Sequence, residues 1–170
     1  LLLSNRVDGW AVGNLTEFDG KQLASVAKGG PDLGTLADEA EKASIEKETG
    51  ELKDLLDKMK GSLEGKVKEV RVTHRLTDSP ACLVADEHDM GMNLARLMKA
   101  AGQNMPLSKP ILEINPTHPV VLRLKYEDKQ FADWAAVLFD QALLAEGGTL
   151  DDPASFVKRI NQLMLVMNAN

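Results

Sequence analysis

The end of the chain carries two helical patterns that are apolar on more than one side. The first is predicted from about Phe131 to Glu146, where Gly147-Gly148 end it, and the second begins at Pro153. A helical hairpin with two apolar faces must bury both, and a small sheet can cover only one of them. We therefore expect a second copy of the chain to cover the other face, in an intermolecular four-helix bundle with two-fold symmetry.

The candidate dimer interface follows from the apolar stripes on these two helices. The residues assigned to it are Leu138, Leu143, Leu144, Phe156, Ile160, Leu163, Met164 and Met167. Other apolar side chains make both helices apolar on a second side, namely Val137, Phe139, Val157, Leu165 and Val166.

The rest of the chain mixes strand and helix signals. Short strands are predicted around Val67 to Val72, at Ala81 to Val84 and at Ile111 to Ile114, and Asp19-Gly20 has the composition of a tight turn. A charged connector from Leu33 to about Lys60 becomes an amphipathic helix with apolar residues at Leu52, Leu55, Leu56, Met59 and Leu63. Further helices are expected at Met90 to Ala101 and from about Pro119. The predicted fold class is α+β, a small mixed sheet with several helices.

Composition excludes several classes of function. The formal net charge of −6 argues against a nucleic-acid surface, which needs clustered Lys and Arg. No apolar run approaches the roughly 18 residues of a membrane-spanning helix. Cys82 is the only cysteine, so an intrachain disulfide is impossible and a reducing, cytoplasmic location is expected.

Two patterns resemble catalytic motifs, but each is incomplete. The run from Gly61 to Val67 is one residue short of a phosphate loop and has Val67 in place of the hydroxyl that would hold magnesium. Cys82, with His74, His88 or His118 as a base, lies between apolar neighbours that favour an inert strand residue. The histidines have no metal-binding spacing. We predict no catalytic residue and no metal site.

One further helix has an apolar stripe rich in methionine. Met90, Leu94, Leu97, Met98 and Ala101 fall on one face of about three turns. Such a stripe can pack into the core of its own chain. Alternatively, it can be exposed and bind varied partners, because methionine side chains adapt to many shapes.

Several segments in order resemble the heat shock protein 90 family, and most closely its bacterial members. They cover nearly the whole chain. They are the run Leu15-Thr16-Glu17-Phe18-Asp19-Gly20-Lys21 after Trp10, the run Thr73-His74-Arg75-Leu76-Thr77-Asp78-Ser79-Pro80, the run Leu112-Glu113-Ile114-Asn115-Pro116-Thr117-His118-Pro119, the run Asp140-Gln141-Ala142-Leu143-Leu144-Ala145-Glu146, and Leu150-Asp151-Asp152-Pro153.

The resemblance implies a division of the chain and a role for each part. Residues 1–37 would be the end of the family's middle domain and residues 38–170 its C-terminal dimerization domain, in a fragment of a longer chaperone that assists protein folding. The ATP-binding domain would lie outside, so the fragment is expected not to be an enzyme and to hold neither ATP nor magnesium. The missing initiator methionine agrees with a fragment.

The resemblance also implies partners. Unfolded or partly folded clients would contact Trp10, Met90, Leu94, Leu97 and Met98, and the second copy would form the homodimer. A purely structural dimerization domain, with clients bound elsewhere, is the alternative. The chain ends Met167-Asn168-Ala169-Asn170 and lacks the terminal peptide by which eukaryotic relatives dock helical-repeat co-chaperones, so that partner class is not expected.

Overall fold

The computed structural model describes residues 17–22, 46–86 and 108–167. The chain divides into two compact units, the first made of Leu1–Leu36 and Val84–Ser108 and the second of Ala37–Leu83 and Lys109–Asn170. One predicted helix, Met90 to Ala101, lies outside the described residues.

The described part of the first unit includes a hairpin. Strands β1 (Glu17–Phe18) and β2 (Lys21–Gln22) pair in antiparallel fashion, with Phe18 opposite Lys21. Both turn residues have positive φ, 51° at Asp19 and 71° at Gly20. Two positive φ values define the turn type that matches strand twist in two-residue hairpins and favours Asp-Gly. The turn predicted at Asp19-Gly20 is confirmed.

The second unit is built on a small mixed sheet. Its strands are β3 (Glu69–Val72), β4 (Ala81–Val84) and β5 (Ile111–Ile114), in the order β3-β5-β4. β3 and β5 are parallel. The central strand β5 is buried at all four positions, as expected for an apolar strand covered on both faces. The three predicted strands are confirmed.

Helix α1 (Lys53–Ser62) packs against β3. It follows a helical stretch at residues 46–51. All five apolar positions that the sequence places on one face are buried, namely Leu52, Leu55, Leu56, Met59 and Leu63. Because these residues recur at helical spacing, one face of the helix removes them all from water. The amphipathic helix is confirmed.

Three more helices complete the second unit. They are α2 (Pro119–Leu124), α3 (Phe131–Ala145) and α4 (Pro153–Met167). At the start of α2, the ring of His118 accepts a hydrogen bond from the Val120 N–H at 3.2 Å. The α+β class and the helices predicted from about Pro119, about Phe131 and Pro153 are confirmed.

A glycine pair ends α3 and reverses the chain. Gly147 has a φ of 72°, and the Gly148 N–H donates to the Leu143 carbonyl at 2.8 Å. This pair of features is a Schellman cap, which satisfies carbonyls at the end of a helix. α4 then packs back along α3. Within the described ranges, no helix is long and apolar enough to cross a membrane.

Candidate functional site

The outward face of α4 exposes several large apolar side chains. Val157 is 54% exposed, Met164 49% and Leu165 72%. Val157 and Met164 lie seven residues apart with half-buried Ile160 between them, which is the spacing of a helix–helix seam. We call Val157, Ile160, Met164 and Leu165 the outer stripe. Large apolar side chains exposed together on one helix are typical of interaction sites.

The opposite face of α4 packs within its own chain. Leu163 on α4 is 3% exposed, and Leu138 on α3 is 1% exposed. Both were assigned to the dimer interface, and the structure places both in the interior of the chain. Both side chains belong to the apolar core of the second unit.

The other assigned interface residues fall into two groups. Leu144 and Met164 are exposed, whereas Leu143, Phe156 and Ile160 are half-buried. The side chain of Met167 lies outside the described residues. Val157, Leu165 and Val166 are exposed but were not assigned to the interface. The sequence could have indicated these three residues as interface candidates, because it shows them on the second apolar side of α4.

A group of charged residues bridges the two helices of the hairpin. Arg159 on α4 approaches two carboxylates of α3, with Nε 3.4 Å from Asp133 Oδ1 and Nη1 3.9 Å from Asp140 Oδ2. Lys66, in the turn before β3, lies with Nζ 3.8 Å from Asp140 Oδ1. Burial raises the pKa of Asp140, and Lys66 and Arg159 only partly offset this rise. Asp140 therefore links three segments of the second unit.

A second charged cluster lies on the sheet. Glu113 on β5 accepts hydrogen bonds from Arg71 Nε at 2.9 Å and Arg71 Nη2 at 2.6 Å, and a further one from Arg75 Nη2. Its side chain is only 4% exposed. Two guanidinium groups compensate the charge of this buried carboxylate. The cluster joins β5 to β3 through Arg71 and to the turn that follows β3 through Arg75.

The residues considered for nucleophilic catalysis do not come together within the described ranges. His74 Nε2 pairs with Glu48 Oε2 at 2.9 Å, and His118 caps α2. Burial, followed by the charge of Glu113, raises the pKa of the Cys82 thiol to about 11. A thiol of this kind is a poor nucleophile at neutral pH. Among the described residues, no group of three or more His, Cys, Asp or Glu side chains could hold a metal ion.

A cavity of about 340 Å³ lies between α1 and the start of α3. Its lining combines the apolar side chains Leu55, Leu124 and Phe131 with charged ones at Glu51, Asp54, Lys58 and Lys125. Lys58 closes one side, with Nζ 4.3 Å from the centre of the Phe131 ring and 2.9 Å from Asp128 Oδ1. None of the predicted site residues lines this cavity. The residues assigned to client binding, Trp10, Met90, Leu94, Leu97 and Met98, lie outside the described residues.

Comparison with known proteins identifies relatives over the whole chain. The family described as Hsp90 protein matches residues 1–169. Relatives named Chaperone protein HtpG are 75% identical over 100% of the chain in Aromatoleum aromaticum, 71% over 99% in Dechloromonas aromatica and 62% over 97% in Nitrosomonas europaea. The chain covers 26%, 27% and 26% of these relatives, about a quarter of their length.

These matches correct two predictions, that the chain is not an enzyme and that it holds no cofactor. The family model matches residues 1–169 and the relatives match nearly the whole chain, and neither match separates this chain from ATP and magnesium chemistry. The prediction that the chain is not an enzyme and the prediction that it holds no cofactor are therefore both wrong. They depended on the division of the chain that the resemblance implies, in which the ATP-binding domain lies outside these residues, and the matches do not support that exclusion. Matched by the family over nearly its full length and by relatives at 62–75% identity, the chain belongs to the Hsp90 protein family of chaperones.

Proposed function

We propose that this chain is the homodimerization and client-binding module of an ATP-dependent, cytoplasmic chaperone that assists protein folding. In this proposal, residues 38–170 form the dimerization domain and residues 1–37 the end of the domain before it. The observation that carries the proposal is the outer stripe of α4, whose members Val157, Met164 and Leu165 are half to three-quarters exposed in the single chain.

The exposed area supplies a driving force for association. Burying one large aliphatic side chain fully is worth about 1.5–3 kcal/mol. A two-fold interface uses each residue twice, once from each copy. The three most exposed residues of the stripe therefore contribute on the order of 5–10 kcal/mol before the cost of association is subtracted. This range is comparable to the cost of association, about 4–15 kcal/mol, so further contacts between the two copies must supply the net affinity.

A second copy of the chain suits this surface better than a charged partner. The stripe lies on one long helix, and the exposed positions beside it are mostly uncharged, as at Asn161 and Gln162. Helices with apolar residues at this spacing pack against helices that carry the same pattern. Two hairpins meeting along α4 would form the four-helix bundle expected from the sequence.

The dimer is tested with two matched substitutions. Met164→Glu places a charge in the proposed interface, whereas Leu122→Glu places one on α2 at a residue of similar exposure, 42% against 49%. We expect sedimentation equilibrium to give twice the chain mass for the natural protein and for Leu122→Glu, and the single mass for Met164→Glu. A natural chain that stays monomeric at every concentration, or a Met164→Glu variant that keeps the dimer mass, would overturn the proposal.

Client binding is tested separately. The proposed contact is the stripe of Met90, Leu94, Leu97 and Met98, with Trp10. The double substitution Met90→Ser with Met98→Ser should weaken binding of a partly unfolded client while the dimer mass stays unchanged. Unchanged client affinity would instead favour the purely structural dimerization domain.

A further inference from the structure

We propose that the cavity between α1 and the start of α3 is a separate docking site for partner proteins. Its occupant is an extended segment in which a large apolar residue stands next to a lysine or arginine. None of the residues that line the cavity belongs to the outer stripe of α4 or to the stripe of Met90 to Met98. The inference therefore goes beyond the proposed function and does not depend on the dimer.

The floor of the cavity is apolar and is built from three helices. Leu55 comes from α1, Leu124 from the end of α2 and Phe131 from the start of α3, and they are 6%, 1% and 3% exposed. Because these side chains are packed before a partner arrives, binding orders little of the site. The volume of about 340 Å³ lies at the small end of the roughly 300–1,000 Å³ of ligand pockets, so it accommodates one or two side chains of a longer segment.

The wall on the side of α1 carries two carboxylates that are open to a cation from outside. Glu51 and Asp54 are both exposed and lie three residues apart, which places them on one face of the helix. Lys47 Nζ is 3.9 Å from Glu51 Oε1, with side chains 78% and 58% exposed, and an ion pair of this kind is weak. No described residue forms an ion pair with Asp54.

The lysine on the same helix is already engaged elsewhere. Lys58 Nζ lies 2.9 Å from Asp128 Oδ1, donates to the Glu127 carbonyl at 3.4 Å and is 4.3 Å from the centre of the Phe131 ring. These contacts direct its charge to the connection between α2 and α3. Lys125, which is exposed at the end of α2, is the other cation of the lining and can donate to a carbonyl of the partner's backbone.

A second observation that points to a partner is the aromatic residue next to the lining. Tyr126 directly follows Lys125 and is 88% exposed, and Leu122, four residues earlier, is 42% exposed. Tyrosine is enriched at protein interfaces, where its ring contributes apolar area and its hydroxyl stays in water. An aromatic face also attracts an arginine or lysine side chain.

Charge complementarity decides which kind of segment fits. The chain has a formal net charge of −6, which favours the approach of a basic partner. An acidic segment would meet Glu51 and Asp54 as like charges. A basic segment without apolar residues would leave the floor uncovered. The occupant that satisfies both the wall and the floor combines a large apolar residue with a lysine or arginine.

The segment class is tested with three short synthetic peptides of equal length that carry a fluorescein label. In a Gly-Ser background, one carries Leu-Arg pairs, one Leu-Glu pairs and one Ser-Arg pairs. We expect fluorescence anisotropy to show that the Leu-Arg peptide binds the natural chain about tenfold or more tightly than the other two. Equal binding of the Leu-Arg and Ser-Arg peptides would reduce the effect to general charge attraction and would overturn the inference.

The position of the site is tested with two matched double substitutions. Glu51→Gln with Asp54→Asn removes the carboxylates of the wall. Asp57→Asn with Glu64→Gln removes the same charge from exposed positions outside the cavity. The first variant should weaken binding of the Leu-Arg peptide by about fivefold or more, and the second should leave it unchanged. Equal effects of the two variants would contradict a site at the cavity.

A third comparison separates this site from those of the proposed function. Met90→Ser with Met98→Ser, and Met164→Glu, should each leave the affinity for the Leu-Arg peptide unchanged. If the substitutions at Met90 and Met98 abolish peptide binding while those at Glu51 and Asp54 have no effect, the peptide binds the methionine stripe and the inference is overturned. A natural chain that binds the peptide at the cavity but never dimerizes would overturn the proposed function alone.

Discussion

The sulfur of Cys82 on β4 lies 3.8 Å from Oε2 of Glu113 on the neighbouring strand β5. Burial is the main reason that the pKa of this thiol rises to about 11, and the negative charge of Glu113 is the second. The thiolate is the reactive form of cysteine, so the carboxylate protects the thiol from electrophiles.

Removing that charge should make Cys82 more reactive. Glu113→Gln should lower the pKa of the thiol, because the negative charge of Glu113 no longer raises it while the positive charge of Arg75 still lowers it. We expect the second-order rate of alkylation by iodoacetamide at pH 8 to rise several-fold. Glu69→Gln, at an exposed position of β3, serves as the control and should leave the rate unchanged. Equal rates for the two variants would contradict this account.

The same substitution should destabilise the fold. Glu113 is 4% exposed and pairs with two guanidinium groups that are each about 30% exposed. Breaking a buried ion pair by removing one partner leaves the other charges uncompensated. The partial exposure of both arginines reduces the loss, so we expect about 2–3 kcal/mol in urea unfolding. A loss below about 0.5 kcal/mol would show that the pair acts as an ordinary surface ion pair.

Two glycines should respond in opposite ways to the same substitution. A Cβ on Gly148 would lie 2.5 Å from Leu143 Cδ1 and 2.7 Å from the Leu143 carbonyl oxygen, whereas a Cβ on Gly61 would meet nothing within 4 Å. Gly148→Ala should lower the free energy of unfolding by about 2 kcal/mol or more, because backbone must shift. Gly61→Ala, in α1, should raise it by about 0.5–1 kcal/mol. Thermal and urea unfolding of both variants provide the comparison, and a gain for Gly148→Ala would refute the tight helix end.

The start of α4 should be sensitive to acid. Asp152 accepts hydrogen bonds from the Ser155 hydroxyl at 2.6 Å and from the Ser155 N–H at 3.0 Å, and these bonds lower its pKa. A carboxyl group with a lowered pKa contributes stability above its ordinary value near pH 4, and that contribution is lost as the pH falls through the lowered pKa. Asp152→Ala should therefore be less stable than the natural chain at neutral pH, and the difference should shrink as the pH falls below about 4. A stability difference that does not change with pH would contradict this assignment.

The predictions from sequence succeeded where the signal is local. The helical spacing of Leu52 to Leu63 predicted the buried face of α1, and Asp19-Gly20 predicted the hairpin turn. Gly147-Gly148 marked the end of α3, because a positive φ and a close approach favour glycine there. The ordered family segments indicated the Hsp90 family, which the comparisons confirm.

Only the tertiary structure decided the contacts between distant segments. Arg71 and Glu113 are 42 residues apart in the sequence, and the residues next to either of them in the sequence do not predict their pairing. The parallel pairing of β3 with β5 likewise depends on packing of the whole sheet.

The two sides of α4 show most clearly what the sequence determined and what only the tertiary structure decided. By itself, the sequence determined that α4 is a helix with apolar residues on more than one side. It could not determine that Leu163 is buried while Val157 and Met164 are exposed, and it assigned Leu138 and Leu163 to the same interface as Met164. Spacing defines the faces of a helix. Which face turns inward depends on the groups packed against it, here the apolar side chains of α3.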